Sequence, residues 1–292
     1  MISGVSPSPA TGSLMLLAPA SDSVPDSFRS VDVDGGQHAH LLAEVQRLRG
    51  SVYLEDGAIS RAHLSPDGRH IQEADKQSWH VISVQPDGSV TACARYRPHP
   101  REVMPEDLGV WDAALAHDRH WQTTLREAIA NEIDLARRSN LAYVELGGWA
   151  VARLRRGTMH AFETAVSAYA LASDLGGCIG ITTATVRHCS SRMLRKLGGR
   201  SLELAGVTLP TYFDERYGCE MEILRFESKT LNRRYGAAVD RMFARFQDIR
   251  VIAAPSPMPV FVDARPAVSS VVTFAERYLP SFVPQDGYAA AV

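Results

Sequence analysis

The chain has 292 residues, 45% hydrophobic and 22% charged, an ordinary globular balance for one large domain or one domain with accessory ends. Its formal charge of −2 argues against bulk nucleic-acid binding, which needs a net basic surface. No apolar run approaches the roughly 20 residues of a membrane span, and the run Leu14-Met15-Leu16-Leu17-Ala18 lacks the preceding basic region of a secretory signal.

The four cysteines, Cys93, Cys178, Cys189 and Cys219, form no C-x-x-C pair. They read as reduced, mostly buried thiols, and a cytoplasmic location is expected.

Residues 1–36 are rich in Ser, Pro, Asp and Gly and read as a flexible leader. The spacing of Leu41, Leu42, Val45 and Leu48 predicts a helix over 40–48. Residues 80–84 read as a strand, Pro86-Asp87-Gly88-Ser89 as a turn and 90–96 as its returning partner. A long helix is predicted over 121–138, then a strand over 142–151. A basic turn, Arg153-Leu154-Arg155-Arg156-Gly157, leads to Thr158, read as the N-cap of a helix that stops at Gly176-Gly177. Ala161, Ala165, Ala168 and Ala172 make a small-residue stripe on it that permits close packing on a sheet.

A strand over 178–184 and a short helix over 187–197, ended by Gly198-Gly199, come next. Residues 202–204 and 220–226 are expected to finish the sheet. The order gives a mixed α/β layout with a central sheet flanked by helices. A doubly wound dinucleotide fold is excluded because the βα turn lacks G-x-G-x-x-G. The boundaries are 1–36 for the leader, 37–253 for the catalytic-type domain and 254–292 for a Pro-rich junction and accessory segment.

The strand over 142–151 carries the strongest chemical signal. Gly147 and Gly148 weaken an otherwise apolar strand and mark either a packing bulge or a close backbone approach to a ligand. Freed backbone N–H groups beside Trp149, Ala150 and Val151 can bind a thioester carbonyl and its oxyanion. Arg153, Arg155 and Arg156 beside Gly157-Thr158 make an anion site at a helix start, suited to a pyrophosphate or a phosphopantetheine phosphate; otherwise they form a solvated basic loop.

This strand–turn–helix resembles the acyl-CoA-binding core of the GNAT acyltransferase superfamily. It departs from the superfamily pattern at Leu154, at Met159 and at Leu194, where a general-acid Tyr is usual. The segment Gly88-Ser89-Val90-Thr91-Ala92-Cys93-Ala94-Arg95-Tyr96-Arg97-Pro98 is similar to the "G-x-V-x-G-x-A-R-L-L-P" strand of the N-acyl amino acid synthases and acyl-homoserine lactone synthases. Residues 185–198 and 212–222 also look like the N-acyl amino acid synthases. The resemblance implies a functional role for Arg95, for the strand glutamate Glu145 and for Asp75 in the preceding loop.

What it implies is an N-acyltransferase. A medium or long acyl chain would pass from acyl-CoA or a phosphopantetheinyl acyl-carrier protein to the amine of an amino acid or related small molecule, with no permanently bound cofactor. A base must take a proton from the amine. Glu145 is the first candidate and Glu220 and Glu222, on one face of their strand, the second; each is as readily an ion-paired structural residue. Arg95 can hold an acceptor carboxylate by a two-pronged hydrogen bond or pair with a strand carboxylate. Gly147, Gly148 and Trp149 would contact substrate.

Arg187, Arg192, Arg195 and Lys196 form a basic helix surface, either solvated or a dock for an acidic acyl carrier protein. No metal site is expected, since His117 and His120 lack further ligands. His188-Cys189 makes a weak thiol-nucleophile pair, because adjacent helix side chains point apart. Two rivals stand beside this reading: a short-chain N-acetyltransferase of the same fold, and a non-catalytic module that senses acyl thioesters.

Overall fold

The structure, a computed structural model, describes residues 12–255 except 21–22, 188–189, 231–232 and 247, with backbone alone at 159–161 and 233–234. The elements in chain order are β1 (Ser13–Leu17), β2 (Ser30–Val33), α1 (Gly35–Glu55), β3 (Trp79–Val84), β4 (Val90–His99), α2 (Gln122–Arg138), β5 (Ala142–Val151), α3 (Met159–Asp174), β6 (Cys178–Thr185), α4 (Ser190–Leu197), β7 (Arg200–Ser201), β8 (Glu203–Leu204), β9 (Val207–Thr208), β10 (Tyr212–Asp214), β11 (Cys219–Glu227), α5 (Arg233–Phe246) and β12 (Arg250–Ala253).

One mixed sheet runs in the order β10-β11-β6-β5-β4-β3-β1-β12-β2, with β7 also on β11. The pairs β5/β6, β1/β12 and β12/β2 are parallel and the rest antiparallel. Side chains alternate in the strands, so each strand feeds both faces. On one face Leu16, Val81, Tyr96, Val144 and Phe226 pack with α3, α4 and α5. On the other, Leu17, Ile82 and Cys93 pack under α1, while Tyr143, Ile179 and Ile181 pack under α2.

Two expectations are corrected. Residues 13–17 and 30–33 belong to the sheet and not to a flexible leader. Leu16 and Leu17 are fully buried in two different cores, and β1 joins β3 to β12. A short apolar run outweighs the Ser/Pro composition around it because it is paired on both edges, by β3 and β12. Residues 202–204 do not finish the sheet either. Glu203–Leu204 pairs with Val207–Thr208 in a separate hairpin, turned by Ala205 and Gly206 at φ 49° and 83°, while β7 and β10 flank β11. Residues 256–292, the bulk of the expected accessory segment, lie outside the described residues, as do His188 and Cys189. Among the described residues no helix is long and apolar enough to cross a membrane.

Candidate active site

The glycine pair makes a bulge. Cys93 faces Ala150 and Arg95 faces Gly147, so two steps along β4 answer three along β5. Gly148 has φ +59°, and a Cβ there would lie 3.0 Å from Arg95 Cβ and 3.3 Å from Arg49 Nη1. Glycine is required for conformation and for space. The Cys93 thiol donates to the displaced Gly148 carbonyl at 3.2 Å.

The bulge stands beside a fork. The parallel register of β5 and β6 runs from Ala142↔Cys178 to Glu145↔Ile181 and stops. Beyond it β5 continues on β4 alone and β6 on β11 alone. An apolar cleft opens there, with about 60 Å³ of free space. One water needs roughly 10–15 Å³ by this measure, so the space suits a narrow chain.

Leu146, Gly147 and Trp149 form one wall of the cleft, and Ala165, Ala168 and Ala172 of α3 another. The alanine stripe therefore shapes a cleft as well as a packing face; the side chain of Ala161 is not among those described. Leu194, at the position where the superfamily has Tyr, adds to the apolar lining. The Trp149 indole N–H is buried there with no hydrogen-bond partner among the described residues.

On the opposite face a polar row follows β4 and β5. Arg49 of α1 grips Asp75 with two hydrogen bonds, Nη1 to Oδ1 at 2.7 Å and Nη2 to Oδ2 at 2.6 Å, and both side chains are fully buried. Arg95 Nη1 donates to Asp75 Oδ1 at 3.2 Å and to Gln72 Oε1 at 2.7 Å. Gln46 Nε2 adds a bond to Asp75 Oδ2 at 3.0 Å. Burial pushes the Asp75 carboxyl up, but the Arg49 hydrogen bond and charge, helped by His80 and Arg95, hold it well below the usual carboxylate range. Two guanidinium groups share one carboxylate, so the cluster carries a net positive charge. The excess lies at Arg95, which also lines the cleft.

Two residues farther along, Glu145 Oε2 accepts from His99 Nε2 at 2.9 Å and Oε1 from the Val110 N–H at 3.0 Å. Arg97 Nη1 is 3.6 Å away. Burial raises the Glu145 carboxyl, but the bonds from His99 and the backbone of Gly109 and Val110 outweigh it and lower it overall. Glu145 therefore pairs with His99 and Arg97, whereas Arg95 pairs with Asp75.

His80 sits beneath the cluster, fully buried, with Nε2 3.0 Å from the Asp75 carbonyl. Burial, with Arg49 adding, pushes it down to about 4. An unfolded His titrates near 6.5, so between pH 6.5 and 4 the unfolded chain takes up a proton that the folded chain refuses. Stability is complete above pH 6.5 and is lost toward pH 4. Melting temperature should fall across that window, and His80→Gln should flatten the fall. A melting curve unchanged from pH 7 to pH 5 in the parent protein would contradict this.

The basic turn follows the cleft. Arg153 Nη1 meets Glu55 at 3.1 Å, Arg156 Nη1 meets Asp56 at 3.1 Å, and Arg155 Nη2 donates to Gln85 at 2.9 Å. Three arginines thus cluster where β5 ends and α3 begins. Gly157 has φ +74°, and the Thr158 hydroxyl donates to the Arg155 carbonyl at 2.6 Å. Ala150 packs under α1 and Val151 is buried at the end of β5, opposite Ala92.

The second-choice bases lie elsewhere. Glu222 accepts from Ser191 and is held by Arg195, whose Nε is 3.0 Å from Oε1; it ties α4 to β11. Glu220 is exposed at the outer end of β11, opposite Phe213. Neither lines the cleft. No group of three potential metal ligands occurs among the described residues.

Arg49 and His99 are site residues that the sequence reading passed over. Arg49 falls on the buried stripe of α1 with Val45 and Val52. A lone arginine on an apolar stripe is the signal that pointed to it.

No protein-family model matches the sequence, and no curated protein matches it either. Solved structures do. A CoA-dependent acyl-homoserine lactone synthase, BjaI, with SAM and isopentyl-CoA superposes with TM-score 0.51 at 13% identity, covering 84% of this chain and 94% of that one. The same enzyme with MTA gives 0.50 at 13% identity, with the same coverage. The chain has the GNAT-like fold of an acyl-homoserine lactone synthase. FeeM, an N-acyl amino acid synthase from uncultured soil microbes, is more distant, with TM-score 0.40 at 10% identity, covering 63% of this chain and 83% of that one. That likeness is too low to choose between the two kinds of synthase.

Proposed function

We propose that the chain transfers an acyl group from an acyl thioester to the amine of a small acceptor bearing a carboxylate, an amino acid or a relative of one. The observation that carries this is the fork between β5 and β6. It places a bulged backbone edge, a narrow apolar cleft and a buried cluster with excess positive charge within a few residues of one another. The thioester carbonyl lies at the bulge, where backbone N–H groups of Gly147 to Trp149 and the unpartnered Trp149 indole can stabilise its oxyanion. The alkyl chain fills the cleft, and its apolar lining favours a chain longer than acetyl. Arg95 holds the acceptor carboxylate.

The amine nitrogen attacks the thioester carbon, the C–N bond forms, the C–S bond breaks and the sulfur leaves as a thiolate. The Glu145–His99 pair takes the proton that the amine sheds. A thiol of ordinary acidity, with pKa about 8.5, leaves without a strong general acid. Leu194 in place of Tyr is therefore compatible with turnover and does not by itself favour a sensor.

Acyl-CoA is the donor of choice because BjaI is CoA-dependent and was solved with isopentyl-CoA. An acyl-carrier protein offers the same phosphopantetheine thioester and could use the basic surface of α4. The SAM bound in that structure is itself an amino acid, in keeping with Arg95 as a carboxylate anchor. Such substrates suit a cytoplasmic enzyme.

The phosphates of the donor fall at the basic turn. Arg155→Ala with Arg156→Ala should weaken acyl-CoA binding about tenfold or more at low salt, with a shallower salt dependence than the parent. Equal dissociation constants for parent and variant at low and high salt would contradict the assignment.

A further inference from the structure

The far end of the cleft is chemically unlike the rest of it. At the fork the lining is Leu146, Gly147 and Trp149; at the other end it is Tyr169, Cys178, Phe226 and Ser228. Cys178 lies four residues before Thr182 on β6, about 13 Å at the ordinary strand rise. Phe226 stands opposite Gly180 on the neighbouring strand, and the Tyr169 ring meets Phe226 edge-on at 6.1 Å. Tyr96 of β4, outside the cleft lining, bonds the Cys178 thiol.

One phenol hydroxyl, that of Tyr169, is thus buried in the wall of an apolar cleft. Tyr169 is 8% exposed, and its hydroxyl has no hydrogen-bond partner among the described residues. The Cys178 thiol near it is pushed up to about 12 by burial and so neutral, and it is bonded to Tyr96. The Ser228 hydroxyl accepts from the Cys178 N–H at 2.9 Å. An unsatisfied buried hydroxyl costs about 1–3 kcal/mol. An unpaired hydroxyl lining a substrate cleft calls for a polar group brought in from outside.

Building on the acyl-transfer reading of the cleft, we propose that the acyl chain it accepts carries an oxygen at its far end, a hydroxyl or a carbonyl, and that Tyr169 recognises it. A plain alkyl chain would leave the Tyr169 hydroxyl unpaired and bind less well. A site built to bond a substrate oxygen discriminates strongly against the analogue that lacks it.

The test measures binding of saturated acyl-CoAs of increasing length, and of their ω-hydroxy and (ω−1)-oxo counterparts, to the full chain and to Tyr169→Phe. At the length that reaches the end of the cleft, the parent should bind an oxygenated donor about tenfold or more tighter than the plain one. In Tyr169→Phe the ratio should fall toward one, with plain-chain affinity unchanged or improved. That improvement also shows that the variant folds. Equal or better binding of plain chains at every length in the parent would overturn the proposal and leave bound water as the partner of the Tyr169 hydroxyl. If no acyl-CoA of either kind binds at any length, the acyl-thioester reading itself falls.

Discussion

Asp75→Asn should destabilise the fold by about 3–5 kcal/mol, the usual cost of stripping one partner from a buried ion pair. The carboxylate is the sole negative charge in the Arg49–Asp75–Arg95 cluster and accepts bonds from both guanidinium groups and from Gln46. Asparagine keeps the shape but leaves two buried cations with no counter-charge. Arg95→Gln is the informative contrast. It leaves the Arg49–Asp75 bridge intact and removes the charge excess, so the fold should lose little stability. Acceptor KM should rise sharply, with donor affinity near the parent value. Chemical denaturation of the two variants, read beside acceptor kinetics, separates the roles. If Arg95→Gln were as unstable as Asp75→Asn, the cluster would be structural throughout.

Glu145→Gln should lower turnover about 10²–10⁴-fold, the range for loss of a general base. The amide preserves shape, and its oxygen can still accept from the Val110 N–H, so the segment around Gly109 stays anchored. Acyl-CoA affinity should change little, because the proposed phosphate site lies beyond Val151, at the basic turn. The lowered carboxyl of Glu145 makes it a weak base alone, and for that reason the proton is assigned to the pair with His99. His99→Asn should therefore slow turnover as well. Near-parent turnover in Glu145→Gln would remove the pair from the mechanism.

Much of this architecture was legible because the local periods agree with the fold. The strand at Ala142–Val151, the glycine bulge within it and the stop at Gly176-Gly177 all follow from residue chemistry. β1 and β12 were hidden by brevity, since Ser13–Leu17 and Arg250–Ala253 are strands only by pairing with each other and, respectively, with β3 and β2. α5 was legible but unread: Tyr235, Val239, Met242, Phe243 and Phe246 keep a helical spacing.

The site was visible in part. Gly147, Trp149 and Arg95 line one cleft, Gly148 makes the bulge beside it, and Asp75 bonds Arg95. The partners of Glu145 could not be read, because His99 and Val110 meet it only across strand pairing and a chain reversal. Glu222 misled because alternation in a strand gives its face but not what covers that face, and here α4 brings Arg195 onto it.

The most direct test of acyl transfer is mass spectrometry of purified protein incubated with acyl-CoA and a set of amines, with free thiol followed in parallel. Acyl transfer predicts an N-acyl product formed in step with thiol release, with amines bearing a carboxylate and not with their decarboxylated analogues. Tight acyl-CoA binding with no thiol released by any amine would contradict it and leave the chain an acyl-thioester sensor.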